Sequence, residues 1–225
     1  MKILILAAMD KEINLLINLL GTPNEVTIEG NFLYEGMIGS NQIYIGKCGI
    51  GKVNSALNAF RLITDIKPDL LINSGVAGGA GIPIGSILFA DKIAYHDVWC
   101  GPGTNYGQAE GTPLFMIPSQ KVMELVDEIG KSEEIVKGLI CSGDRFISKA
   151  EEIKDLRSHF PEVKAVDMES ASIAQTCILT ATPFAIIRVV SDTPGEGENI
   201  SQYKNFWSTA PEKTFHLLES ILEKL

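Results

Sequence analysis

Four carboxylates in this 225-residue chain fall where α/β proteins carry out chemistry: Glu12, Asp167, Glu169 and Asp192. Each sits at or just beyond an apolar run that reads as a strand, so each is expected at a strand exit. Burial at such a place raises a carboxyl pKa and makes the group a proton donor near neutrality. Taken singly, each reads as a helix cap or a solvated side chain. Four at one end of one sheet form a set suited to acid–base work, and the Ser191-Asp192 pair ends the most β-prone segment of the chain.

The elements that must position these groups follow from periodicity. Residues 2–9 form a continuous apolar run, as in a strand buried on both faces, and Asp10 opens a helix patterned by Ile13, Leu16, Ile17 and Leu20. Residues 32–37 and 42–45 flank Gly39-Ser40-Asn41 as a hairpin. A glycine turn at 49–52 feeds a helix over 53–66, and a strand over 69–73 runs into Gly75, Gly78, Gly79 and Gly81. Strands are predicted at 87–98, 135–141, 165–168 and 184–190. Helices are predicted at 122–129, 150–160 and 170–179 and from about Tyr203 to the end; residues 101–111 read as a loop. Alternating strands and helices with no linker predict one α/β domain over 1–225, in three layers, with a central mixed, mostly parallel twisted sheet flanked by helices. Ligands in such folds bind beyond the carboxyl ends of the strands.

Composition narrows the partners. Hydrophobic residues make up 45% of the chain and charged residues 21%, with a mean hydropathy of +0.16, enough for a well-buried core. The net charge is −9, and the arginines are only Arg61, Arg145, Arg157 and Arg188. Proteins that neutralise many phosphates cluster Arg and Lys, so nucleic acid is not an expected partner. Cys48, Cys100, Cys141 and Cys177 form no CxxC and are expected as buried, reduced thiols. The apolar start ends at Asp10-Lys11-Glu12, too early for a signal peptide, and no run approaches the ~18 apolar residues of a membrane span. A cytoplasmic protein with no membrane contact is expected.

Two glycine motifs invite a nucleotide reading. Gly46-Lys47-Cys48-Gly49-Ile50-Gly51-Lys52-Val53 nearly matches a phosphate-binding loop, but Val53 replaces the hydroxyl residue that would hold a metal ion. Asn73-Ser74-Gly75-Val76-Ala77-Gly78-Gly79 lacks the glycine order of dinucleotide sites, and a turn explains it equally well.

The ordered motifs together resemble the nucleoside phosphorylase and nucleosidase superfamily, most closely the 5′-methylthioadenosine/S-adenosylhomocysteine nucleosidases. The matching pieces are Ala8-Met9-Asp10-Lys11-Glu12, Gly49-Ile50-Gly51-Lys52-Val53, the 73–79 segment, Tyr95-His96-Asp97, Tyr106-Gly107-Gln108, Gly143-Asp144-Arg145-Phe146-Ile147, Val166-Asp167-Met168-Glu169 and Arg188-Val189-Val190-Ser191-Asp192. They stand in family order and span nearly the whole chain. The resemblance implies a nucleoside phosphorylase-like fold and a purine nucleoside as ligand. Asp192 would then be the general acid at purine N7, positioned by Ser191, and Glu12 would activate the attacking water, helped by Arg188. Glu169 would hold the ribose hydroxyls over Met168. Phe146 would stack on the base while backbone groups of Ile147 read its edge, with Val76, Ala77 and Gly78 along the same wall. Met9, Ile50 and an aromatic of the terminal helix, either Tyr203 or Phe206, would form the apolar 5′ pocket. Pro113 matches a position that builds that pocket across a homodimer interface. No metal or organic cofactor is implied, because an acid on one side of the bond and activated water on the other suffice for an oxocarbenium-like sugar.

Within the superfamily, a phosphorylase must hold dianionic phosphate, usually with arginine forks. Before Arg145 the chain offers only Arg61, and a carboxylate at Glu12 repels phosphate. Water is therefore the expected nucleophile. Alternatives of other kinds are a nucleosidase acting on futalosine or a nucleotide, a phosphorylase, and a non-catalytic nucleoside-binding protein. The match loosens at Thr193-Pro194-Gly195-Glu196-Gly197-Glu198 and at residues 98–104, both at the 5′ end.

Overall fold

A computed structural model describes residues 1–131, 134–209 and 216–225. Its centre is β1 (Lys2–Ala7), buried at every position after Lys2. Leu4 and Leu6 join the core on one face of the sheet, Ile3 and Ile5 the core on the other. A strand covered on both sides requires such an unbroken apolar run. β4 (Asn41–Lys47) and β5 (Leu70–Gly79) flank β1 in parallel register. β3 (Asn31–Ile38) pairs antiparallel with β4 as the predicted hairpin, and β2 (Asn24–Ile28) forms the outer edge.

Beyond β5 the sheet curls. β8 (Val163–Asp167), β7 (Ile135–Ser142), β6 (Ile87–Tyr95) and β9 (Phe184–Asp192) follow in that spatial order, and β9 pairs back onto β5. These five strands close a ring, which leaves β9 no open edge. The sheet is mixed, with the antiparallel joints of the ring at β5–β8 and β6–β9.

Helices cover both faces. α2 (Lys52–Ile66) and α5 (Ser170–Leu179) bury Leu62, Ile66, Ile173 and Cys177 on one side. α1 (Asp10–Ile17), α3 (Gln120–Ile129) and α7 (His216–Lys224) bury Leu16, Val126 and Leu218 on the other. Each such side chain contributes roughly 1.5–3 kcal/mol by leaving water. α4 (Ala150–His159) caps a smaller cluster around Phe160, and α6 (Asn199–Thr209) packs against β9. Among the described residues no helix is long and apolar enough to cross a membrane.

The structure departs from the sequence reading in specific places. The glycine segment 75–79 is not a turn but the continuation of β5, and its missing side chains make room for neighbours that pack onto its backbone. β2 was not expected, because its half-exposed, polar pattern carries little periodicity. β6 ends at Tyr95 rather than Val98. The terminal helical region starts at Asn199 rather than Tyr203, and the 210–215 part of the predicted helix lies outside the described residues. Cys48, Cys141 and Cys177 are buried thiols as expected, whereas Cys100 is exposed.

Candidate active site

Glu12 is the third residue of α1, and its carboxylate folds back onto the start of its own helix. Oε2 accepts the backbone N–H groups of Ala8 (2.9 Å) and Met9 (3.0 Å), while Oε1 accepts that of Val76 on β5 (3.1 Å). The bland reading of this residue as a helix cap is therefore true, and the cap lies in a buried place. Burial pushes the Glu12 pKa up, against the pull of the Arg188 charge and the three backbone donors.

Asp192 ends β9 and is fully buried. Ser191 Oγ donates to its Oδ1 at 2.7 Å, and Asn199 Nδ2 at the start of α6 donates to its Oδ2 at 3.3 Å. Burial raises its pKa, and these two hydrogen bonds oppose the rise because they favour the ionised form. Each oxygen keeps a free lone pair for a ligand.

Glu169 follows β8 and precedes α5. Its Oε1 accepts the Gly51 N–H at 2.9 Å, so the glycine turn that resembled a phosphate loop holds a carboxylate instead. The next N–H, that of Lys52, goes to Asp144 at 2.7 Å, and Lys52 Nζ goes to Asp97 at 2.8 Å. The N-terminus of α2, with its partial positive charge, thus faces acidic groups. Gly51 has φ +85°, and a Cβ there would stand 2.8 Å from Asp144 Oδ1, so glycine is required twice over. Burial first, and the nearby Asp167 second, push the Glu169 pKa up to about 7.

Arg188 lies behind these groups. It is 2% exposed, and its guanidinium donates to Asp167 Oδ2 (2.8 Å), to Ser170 Oγ (2.9 Å), to the carbonyls of Asn73 (3.1 Å) and Ile187 (2.9 Å), and to Asn73 Oδ1. Its donor set is committed to protein groups. It reaches Glu12 and Glu169 through its charge, which favours the ionised form of both.

A cavity of about 180 Å³ brings most of the sequence-predicted residues together. Its polar lining includes Glu12, Arg145, Asp167, Glu169, Ser191 and Asp192; its apolar lining includes Met9, Ile50, Val76, Ala77, Gly78, Phe146, Ile147, Met168 and Tyr203. Tyr203 Oη lies 3.2 Å from Met9 Sδ, and its ring meets Phe146 edge-on at 6.0 Å. Three predicted residues do not line it. Arg188 is the buried support just described; Phe206 is buried against Trp207, ring centroids 5.7 Å apart; and Pro113 is exposed on the 101–119 segment. Of Tyr203 and Phe206, Tyr203 lines the cavity and Phe206 does not.

Sequence reasoning missed Asn199, Asn73, Ser170 and the place of Arg145 at the cavity, where it pairs with Glu152 at 2.6 Å. Nothing local marks Asn199, which lies between residues 193–198 and the helix expected from about Tyr203. Asn73 and Ser170 each stand near a marked residue in the chain, yet only the fold brings them onto Arg188.

Buried carboxyl groups with raised pKa around a small, largely apolar cavity can protonate a leaving group and activate water. Known proteins share the sequence pattern and the fold. Residues 2–223 match the sequence profile of the phosphorylase superfamily. A 5′-methylthioadenosine/S-adenosylhomocysteine nucleosidase of Lysinibacillus sphaericus is 38% identical over 89% of this chain and 90% of its own. The crystal structure of the Neisseria meningitidis enzyme of that name, in complex with methylthio-immucillin-A, is 34% identical and superposes with a TM-score of 0.92, covering 100% of this chain and 99% of that one. A futalosine hydrolase of Helicobacter pylori is 28% identical with a TM-score of 0.91, over 100% of this chain and 99% of that one. The chain belongs to the phosphorylase superfamily and, within it, to the 5′-methylthioadenosine/S-adenosylhomocysteine nucleosidase family.

Proposed function

We propose that the protein hydrolyses the N-glycosidic bond of 5′-methylthioadenosine, S-adenosylhomocysteine or a close 5′-substituted adenosine, releasing adenine. The observation that carries this reading is the meeting of Glu12, Glu169 and Asp192, all buried and all with raised pKa, around one cavity. Protonated Asp192 gives its proton to N7 as the C1′–N9 bond breaks, so adenine leaves neutral. Glu12 orients a water molecule on the other side of the sugar and takes its proton as the oxygen bonds to C1′. Glu169, with Oε1 held by Gly51, keeps Oε2 for the ribose hydroxyls. General acid assistance of this kind contributes typically 10²–10⁴-fold.

Water is preferred over phosphate because Glu12 carries negative charge toward the nucleophile's side and the donors of Arg188 are already committed. Met9, Ile50 and Tyr203 offer the 5′ group an apolar wall suited to a thioether. The similarity to a futalosine hydrolase supports a second reading with the same bond cleaved and a different 5′ group.

The reading includes a homodimer. Val53, Leu57 and Phe60 form an exposed apolar stripe on α2, continuous with Ile50 at the cavity, and a second copy seated there would cover both. It also includes a cytoplasmic setting in nucleoside catabolism and methionine salvage.

The test is a product assay across 5′-substituted adenosines, with and without phosphate. Free adenine and free sugar, independent of phosphate, are expected from the wild type and lost in Asp192→Asn. Sugar 1-phosphate as product would mean a phosphorylase, and tight binding without turnover a carrier.

A further inference from the structure

Asn199 opens α6 at the point where the chain returns from β9, and it is buried at 6% exposure. Its amide donates to Asp192 Oδ2 from outside β9, whereas Ser191, the donor to Oδ1, is the neighbour of Asp192 in the chain. The connecting residues 193–198 are tied down on both sides. Thr193 N–H donates to Gln202 Oε1 at 2.9 Å, Gln202 Nε2 donates to the Glu196 carbonyl at 3.1 Å, and Gly195 N–H donates to the Ser148 carbonyl at 3.1 Å. Asn199 is therefore delivered to Asp192 by a braced loop.

Tyr203 stands four residues later on α6, so Asn199 and Tyr203 share one helix face. That face carries both the donor to the proposed acid and the aromatic wall of the cavity. Any displacement of α6 that reseats Tyr203 against a ligand moves Asn199 relative to Asp192 as well.

We infer that Asn199 is a positioning residue that couples the seating of the nucleoside's 5′ group against Tyr203 to the orientation of the Asp192 carboxyl. The inference rests on the reading of Asp192 as the acid. The titratable groups facing the same cavity are Glu12 in the first turn of α1, Arg145 after β7, Asp167 at the end of β8, Glu169 just beyond it, and Tyr203 itself. Among the described residues, only Ser191 and Asn199 donate side-chain hydrogen bonds to Asp192. A neutral amide donor favours the ionised carboxylate and also fixes its plane. Its loss has two separable effects: Asp192 holds its proton to higher pH, and the carboxyl is freer to turn away from N7.

The experiment compares wild type, Asn199→Leu, Asn199→Ser and Asp192→Asn, with adenine release followed over pH for 5′-methylthioadenosine and 5′-deoxyadenosine. For Asn199→Leu, kcat with 5′-methylthioadenosine is expected to fall roughly tenfold, the size of one hydrogen bond to a charged group. KM should stay near its wild-type value, and the basic limb of the kcat/KM profile should move to higher pH. The kcat advantage of 5′-methylthioadenosine over 5′-deoxyadenosine should shrink, and Asn199→Ser, which keeps a donor, should recover part of the loss. A role in holding α6 in place alone would raise KM for both substrates and leave the limb where it was; that result, or an unchanged kcat, overturns the inference. Full activity of Asp192→Asn, or no adenine from the wild type, overturns the underlying reading instead. Thermal unfolding of each variant confirms that the fold is retained.

Discussion

Gly75 lies directly against Glu12: a Cβ at that position would stand 2.6 Å from Glu12 Oε1, well inside contact distance. The glycine at this point of β5 is what lets the carboxylate reach the Val76 N–H. Gly75→Ala should therefore push Glu12 off its three backbone donors. We expect kcat to drop by about 10²-fold or more, the scale of general acid–base assistance, while adenine still binds. Adenine release and adenine binding, measured on the same preparation, check this; normal turnover would show that Glu12 needs no such seat.

Glu169 provides a pH prediction. Its carboxyl is held up at about 7, so below that pH it is largely protonated and above it ionised. An ionised carboxylate accepts hydrogen bonds from ribose hydroxyls more strongly. KM should therefore fall as pH rises through about 7, and in Glu169→Gln this dependence should vanish. The free protein should respond in the opposite sense. A carboxyl whose folded pKa exceeds its unfolded value contributes stability that is present below the unfolded pKa and lost as pH rises through the folded one. Denaturation of the unliganded protein between pH 5 and 8 should show a decline that is shallower in Glu169→Gln.

Arg188 and Asp167 form an ion pair in which both side chains are 2% exposed. Removing one partner leaves a buried charge without its counterpart, at a cost of about 3–5 kcal/mol. Arg188→Met should lose that much stability in urea titration. Arg188→Lys keeps the charge but cannot serve Asp167, Asn73 and Ser170 together, so its loss should be only partly smaller. Stability equal to wild type in both would remove Arg188 as the support of the site.

Tyr203 and Phe206 should separate cleanly. Tyr203→Ala removes a wall of the cavity and should raise KM most for substrates with a large apolar 5′ group. Phe206→Ala empties a buried position and should cost about 3–5 kcal/mol of stability with KM little changed. Steady-state kinetics together with denaturant unfolding distinguish the two patterns, and the reverse outcome would assign the pocket to Phe206.

Much of this was legible in the chain because its signals are local. A strand buried on both faces has to be a largely apolar run, so β1 announces itself and β9 does so despite Arg188, and the carboxylates Glu12, Asp167, Glu169 and Asp192 follow from their places at or just beyond the ends of strands. The ordered motifs made the family recognisable for the same reason.

What the tertiary structure alone decided depends on distance across the fold. Pairing of β9 with β5 closes the ring, and no residue of either strand encodes that partner by itself. The glycines of 75–79 look like a turn until Glu12, Val190 and Pro194 are seen lying on their backbone. Arg188 reads as a group free to assist water until Asp167, Ser170 and Asn73 take up its donors. Asn199 acquires a meaning only once the 193–198 loop sets it on Asp192. A side chain's type and its place on an element are written locally; its hydrogen-bond partners are set by which elements pack together.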